Sequence, residues 1–171
     1  MLKGKVLGII GCGRIGSWMA RYGRAFDMKV IGYDPLIYPW PEKIRRTELD
    51  PLLSSADVIS LHVPLNQNTR GIIGAREFAL MKPGVIFINT SRGAVTDENA
   101  LCRALISGQI GAAGVDVLEG EPRIDCHPLV EYARVRDNLI ITPHIGGFSP
   151  EAVNIVVAHA SRRIRDVLNP L

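Results

Sequence analysis

The sequence predicts an α/β domain built on a doubly wound parallel sheet. Three observations predict it. Short Val- and Ile-rich runs alternate with longer stretches of helical period. Each run is bounded by Gly, Pro, Asp or Asn. The polar residues able to do chemistry stand just after the runs. Short continuous apolar runs are what strands buried on both faces require. Strand, helix, strand, repeated, implies right-handed crossovers. In such sheets ligands bind beyond the carboxyl ends of the strands.

The expected strands are Val6–Ile10, Lys29–Tyr33, Val58–Leu61, Val85–Asn89, Ala112–Val117 and Leu139–Ile141. Helices are expected at Arg14–Phe26, Glu48–Ser55, Gly74–Leu80 and Asp97–Ser107. A last helix runs from about Pro150 to Leu168, with Ser149 as N-cap and Pro150 at its first position. Its Val153, Val156, Val157, Ala160, Ile164, Val167 and Leu168 form an apolar stripe, part of which is expected to pack on the sheet.

Composition narrows the function classes. The chain has 171 residues, 47% hydrophobic and 22% charged, which is a globular composition of single-domain size. No apolar run reaches the ~20 residues that span a bilayer, and no membrane role is expected. The net charge of +3 is mild, and Lys43–Arg46 and Arg162–Arg165 lack interleaved aromatics, so no nucleic-acid partner is expected. Cys12, Cys102 and Cys126 have neither metal-ligand nor disulfide spacing, which suits a cytoplasmic location.

Gly11-Cys12-Gly13-Arg14-Ile15-Gly16 follows the first run directly and opens a helix. The glycines allow a tight turn, close backbone approach to a pyrophosphate and close helix–strand packing, and the free N–H groups of the helix start face the phosphates. Asp34 ends the second strand, about 20 residues on. A carboxylate there accepts from adenosine ribose hydroxyls and repels a 2′-phosphate, which favours NAD over NADP. An ordinary turn aspartate before Pro35 is the alternative.

Three later strands each end in a candidate. Arg92 follows the fourth, where a guanidinium can grip a carboxylate through two parallel hydrogen bonds, or else pair with Asp97 or Glu98. Asp116 and Glu121 lie near the end of the fifth, where one carboxylate can meet a nicotinamide carboxamide and another orient a histidine; a solvated acidic loop is the alternative for Glu121 and the reading for Glu119. His144 follows the sixth, a general acid–base if it faces a reacting carbonyl. His62, His127 and His159 read as structural. Together Arg92 would anchor a 2-oxo or 2-hydroxy acid, His144 would move the proton on its C2 oxygen, and Glu121 would hold the imidazole tautomer.

The blocks "LGIIGCGRIG", "GYDP", "HVPLNQNTRGII", "MKPGVIFINTSRGAVTDENAL", "GVDVLEGEP" and "NLIITPHIGG" resemble the D-isomer-specific 2-hydroxyacid dehydrogenases, among them phosphoglycerate dehydrogenase, in order and spacing over essentially the whole chain. The resemblance implies an NAD-binding Rossmann fold with Arg92, Glu121 and His144 catalytic. It places Gly11, Gly13, Arg14, Ile15 and Gly16 at the pyrophosphate, Asp34 at the ribose, and Val63 and Pro64 at the adenine side. Thr90, Ser91 and Arg92 would meet the nicotinamide half, Asp116 its carboxamide, and His144, Gly146 and Gly147 would sit beside it. Asn66 and Phe148 depart from the family pattern without touching the trio. The resemblance further implies that residues 1–171 are the cofactor domain, that a substrate domain is missing, that the last helix would return to it, and that the domain forms a homodimer. The trio alone does not separate a dehydrogenase from a non-catalytic NAD(H)-sensing module, since the C-terminal-binding-protein corepressors resemble the same family.

Overall fold

The computed structural model describes residues 1–168. Seven parallel strands form one sheet: β1 (Val6–Ile10), β2 (Lys29–Tyr33), β3 (Arg45–Arg46), β4 (Val58–Leu61), β5 (Val85–Asn89), β6 (Ile110–Val115) and β7 (Leu139–Ile141). Their spatial order is β3-β2-β1-β4-β5-β6-β7. The chain builds outward from β1 to β3, then crosses back to β4 and builds the other way. That reversal is a topological switch point, and it opens the ligand crevice at the carboxyl ends of β1 and β4.

The handedness of the crossovers assigns the helices to faces. Helix α1 (Arg14–Ala25) covers β1 and β2 on one face, over Leu7, Ile9, Met28 and Val30. Helices α2 (Leu49–Ser55), α3 (Ala75–Leu80), α4 (Glu98–Ile106) and α5 (Pro128–Ala133) cover the other. That second face holds the larger core, with Leu52, Leu53, Ile59, Phe78, Phe87, Leu101 and Leu129 buried and Phe78 edge-on to Phe87.

The first face is only half covered. Registered neighbours share a face, so Leu7, Val58 and Ile86 form one row, and Ile9, Ser60, Ile88, Gly114 and Ile140 another. Along these rows cover gives out. Leu7 is 4% exposed and Ile86 40%; Ile9 is fully buried and Ile140 is 66% exposed. A parallel sheet is normally buried on both faces, so this half-face is an apolar surface without a partner among the described residues.

Helix α6 (Pro150–Leu168) starts where its N-cap predicts, with Ser149 Oγ accepting from the Ala152 amide at 3.1 Å. The expectation that part of its stripe packs on the sheet is wrong: none of its residues is buried. The helix follows the Gly146–Gly147 loop away from the sheet, and Ile155, Val156, Val157, Ile164, Val167 and Leu168 stand exposed.

The other differences are local. Strand β6 begins and ends two residues before the predicted Ala112–Val117. Ile110 enters the ladder opposite Val85, and the chain leaves it at Asp116, whose side chain turns to hold a neighbouring loop. Strand β3 has only two arginines, a charged exposed edge with no apolar run to announce it. Helix α5 is one short turn and a half. His127 caps it and Pro128 opens it, a signal that the sequence carries but that its brevity hides. No described helix is long and apolar enough to cross a membrane.

Candidate active site

The glycine turn is built as a cradle. Gly11 has φ +91°, and a Cβ there would lie 2.5 Å from the His62 carbonyl oxygen; a Cβ on Gly16 would lie 2.1 Å from the Gly11 oxygen. The first packs the turn against the end of β4, and the second seats α1 tightly on the end of β1. Gly13 differs, because a Cβ there would meet nothing within 4 Å. The space above it is open to a ligand. Helix α1 has no side-chain cap and no acid in its first turn, so its free amides and Arg14 present positive charge to that space. A cleft of about 540 Å³ adjoins it, lined by Gly13, Arg14, Ser17, Trp18, Arg21 and Ile37. These features fit a pyrophosphate.

Asp34 has two kinds of work. Its Oδ1 accepts from the Leu36 and Ile37 amides at 2.9 and 3.2 Å, which is the turn role. Its Oδ2 accepts from the Cys12 amide at 2.9 Å and ties the end of β2 to the glycine turn. An oxygen with one such bond retains a lone pair for a ribose hydroxyl. Burial, then the Asp34 charge, pushes the Cys12 thiol up to about 12, so this cysteine stays a protonated, packed thiol.

Next along the edge lies a cleft of about 390 Å³ lined by Ile15, His62, Val63, Pro64, Leu65, Thr90, Ser91 and Arg92. Buried Asn89 shapes it. The Asn89 side chain donates to the Arg92 carbonyl at 3.0 Å and accepts from the Ser91 amide at 3.0 Å, while Ser91 Oγ donates to the Leu61 carbonyl at 3.0 Å. Arg92 is exposed, and its guanidinium donates to the Ser91 carbonyl at 2.6 Å. Among the described residues it pairs with neither Asp97 nor Glu98. His62, which the sequence reads as structural, is half-buried at this edge. It lines this cleft, bonds Ser60 Oγ at 2.9 Å, and is pushed down to about 4 by burial.

The third cleft, about 380 Å³, is lined by Leu118, Glu121, Pro122, Ile124, Ile141, Thr142, Pro143 and His144. Glu121 Oε2 lies 2.6 Å from His144 Nδ1, and Glu121 Oε1 accepts from the Leu118 amide. A carboxylate can only accept from the ring, so Nδ1 carries the hydrogen and Nε2 of the neutral ring is a base. Nε2 has no partner among the described residues. His144 sits at φ 53°, a left-handed conformation that a side-chain-bearing residue adopts at some cost. Asp116 holds it there. Its Oδ1 accepts from Thr142 Oγ1 and from the Ile145 amide at 3.0 Å, and its Oδ2 from the Gly146 amide at 2.8 Å. Burial pushes Asp116 up, but Thr142 and the Gly146 and Ile145 amides outweigh it and hold the carboxyl below its ordinary range.

Residues 1–146 match the model of the D-isomer specific 2-hydroxyacid dehydrogenase family, NAD binding domain. The chain belongs to this family. It is 45% identical over 151 residues to a hydroxypyruvate reductase of Thermotoga maritima, covering 88% of this chain and 49% of that protein. It is 42% identical over 174 residues to a D-3-phosphoglycerate dehydrogenase of Methanocaldococcus jannaschii, covering 98% of this chain and 32% of that one. A D-lactate dehydrogenase from Aquifex aeolicus, solved with NAD and lactic acid, superposes with a TM-score of 0.87 at 37% identity, covering 96% of this chain and 53% of that one. The chain thus spans about half the length, or less, of these family members. The cofactor of a family domain of this kind is NAD.

For a member of this family, the structure sets every predicted site residue along one sheet edge. It joins Glu121 to His144 and ties Asp34 to the glycine turn, while Arg92 opens on a cleft separate from that of His144. Sequence reasoning missed Asn89 and Thr142, which organise the loops carrying Arg92 and His144. A polar Asn ending the apolar run "VIFIN" was the available signal for the first.

Proposed function

We propose that this chain is the cofactor half of an NAD-dependent dehydrogenase acting on a small D-2-hydroxy acid or its 2-oxo counterpart. The observation that carries the reading is the Glu121–His144 pair, with Nδ1 held and Nε2 open at the edge where a cofactor cradle also ends.

Arg92 would bind the substrate carboxylate through its guanidinium, which has no acidic partner among the described residues to compete. In the oxidising direction His144 Nε2 takes the proton from the C2 hydroxyl as C2 gives up hydride, leaving the 2-oxo acid. In the reverse direction it returns the proton. Glu121 keeps the ring oriented and stabilises its charged form while the proton is held. Bound NAD supplies the hydride acceptor or donor at C2. Gly13 and the α1 amides would hold the pyrophosphate, Asp34 the ribose, and Val63 and Pro64 the adenine side. Thr90 and Ser91 would meet the nicotinamide half, as would Gly146 and Gly147, with Asp116 serving through the loop that it organises.

The open sheet face around Ile86 and Ile140 and the exposed α6 stripe support a second proposal, that a substrate-binding domain of the full-length protein covers them. A homodimer through this domain is the competing use of the same surfaces.

The test is NADH binding and NADH oxidation with a panel of 2-oxo acids on one purified sample. Gly13→Ala meets no protein atom, so it should leave folding intact and weaken NADH binding; unchanged binding overturns the cradle assignment. His144→Ala should abolish turnover and spare binding. Tight binding with no turnover, even beside a complementing substrate domain, favours NAD(H) sensing. Equal affinity for NADPH overturns the ribose role of Asp34.

A further inference from the structure

A second carboxylate–histidine pair lies behind the first. Glu98 opens α4, and its carboxylate reaches across to the segment after β6. It accepts from the Glu119 amide at 3.0 and 3.2 Å, and Glu98 Oε2 lies 2.8 Å from His127 Nε2. Both side chains are 11% exposed. The Leu129 amide donates to His127 Nδ1 at 3.2 Å, and an amide can only donate. Nδ1 is therefore the acceptor, and Nε2–H donates to Glu98. Every hydrogen-bonding atom of this imidazole is engaged.

The two groups that Glu98 grips, Glu119 and His127, flank Glu121 in the chain. One half-buried carboxylate thus ties both ends of a strap whose middle carries the partner of His144. The strap is held from below as well. A Cβ on Gly93, the residue after Arg92, would lie 2.1 Å from the Glu119 nitrogen, so the two loops are in direct backbone contact. At the rim, Arg70 pairs with Glu119 at 2.8 Å. Glu119 is the solvated loop acid that the sequence predicts, its side chain 56% exposed, with Arg70 as a surface partner.

We infer that Glu98 and His127 are positioning residues: they close the Glu119–His127 strap and so set Glu121 against His144 Nδ1. The inference rests on the catalytic reading of the Glu121–His144 pair. The physical reason is short. Glu121 lies within the turn at 119–122, and its Oε1 holds only the Leu118 amide, one residue before the strap. Among the described residues the Glu121–His144 bond is the only hydrogen bond from the strap to the β7 loop, and Ile124 adds apolar packing, which fixes a distance less sharply than a hydrogen bond. Glu98, on a helix packed against β6, supplies that external reference. A preorganised site needs such support.

The experiment uses the full 171-residue chain. Side-chain nitrogen NMR reads the tautomer of each histidine, and amide hydrogen exchange reads Glu119. In the unaltered chain neutral His144 should be the Nδ1–H form. In Glu98→Ala the Glu119 amide should exchange about tenfold faster or more, and His144 should shift toward the Nε2–H form that free imidazole prefers. Glu98→Gln, which keeps an acceptor for one of the two donors, should fall between and serves if the alanine variant does not fold. His127→Asn keeps an acceptor for the α5 cap while ending short of Glu98, so it should move His144 without unwinding α5. Faster Glu119 exchange with an unchanged His144 tautomer overturns the positioning role and leaves the catalytic reading standing. Unchanged exchange in Glu98→Ala overturns the strap. A His144 already in the Nε2–H form in the unaltered chain removes the pair itself, and the catalytic reading fails with it.

Discussion

Two glutamate–histidine pairs share one strap, one closing its ends and one reaching out from its middle, and they differ in what the imidazole has left over. In Glu98–His127 both side chains are 11% exposed, and both ring nitrogens are bonded. In Glu121–His144 the exposures are 27% and 48%, one nitrogen is bonded, and the other faces a cleft. The chemistry of the pair is the same in both places. A fully engaged imidazole can hold a fold together but cannot accept a proton without breaking a bond. A half-engaged one costs the fold little and retains a base. Their backbones differ in the same sense: His127 caps a helix in an ordinary extended conformation, while His144 is held left-handed by the Asp116 network.

The largest effect should come from removing the open imidazole. In a turnover-competent assembly of this chain, His144→Ala should cut hydride transfer by ~10²–10⁴-fold and move the urea midpoint little. Stopped-flow NADH oxidation reads the first and equilibrium unfolding the second. Comparable loss of stability would erase the distinction between the pairs.

The carboxylates should show the opposite order. Glu98→Ala strands the His127 and Glu119 donors in a half-buried site and should cost about 2 kcal/mol. Glu121→Ala, at a more open site, should cost about 1 kcal/mol. Urea denaturation of both variants side by side checks the ranking.

A third histidine sharpens the contrast on the acid side. His62 has Ser60 Oγ in place of a carboxylate, and burial pushes it down to about 4. Its unfolded form takes a proton near its ordinary value, ~6.5, while the folded form resists until about 4. Stability should therefore fall as pH drops between these values, and His62→Gln should flatten that part of the profile. The opposing amides and hydroxyl that hold Asp116 low stabilise the His144 loop above the ordinary carboxylate range. That contribution is lost as pH falls through the folded value, and exchange at Ile145 and Gly146 should then rise.

The smallest effect concerns thiols. Cys12 is buried and pushed up to about 12, whereas Cys126 is exposed. Mild alkylation at neutral pH should label Cys126 and leave Cys12 untouched, and prompt labelling of Cys12 would show the glycine turn to be more open than described.

Much of the fold was legible because its signals are local. A buried parallel strand must be a short apolar run, and a phosphate turn must place its glycines where backbone meets backbone. So β1, β2, β4, β5 and β7, the cradle at Gly11–Gly16 and the start of α6 can be read from neighbours in the chain. The residues after each strand were legible for the same reason, since parallel strands bring their ends to one edge. What depends on contacts distant in sequence was not. Strand β3 exists because Arg45 and Arg46 find Ile31 and Gly32; α6 leaves the sheet although its stripe is apolar; and Glu98 and His127 meet across 29 positions. By itself the sequence determined the layered sheet, the dinucleotide turn and the candidate trio, because propensity and spacing are carried by adjacent residues. Only the tertiary structure decided which histidine has a nitrogen to offer, because that depends on which donors and acceptors the fold has already paired.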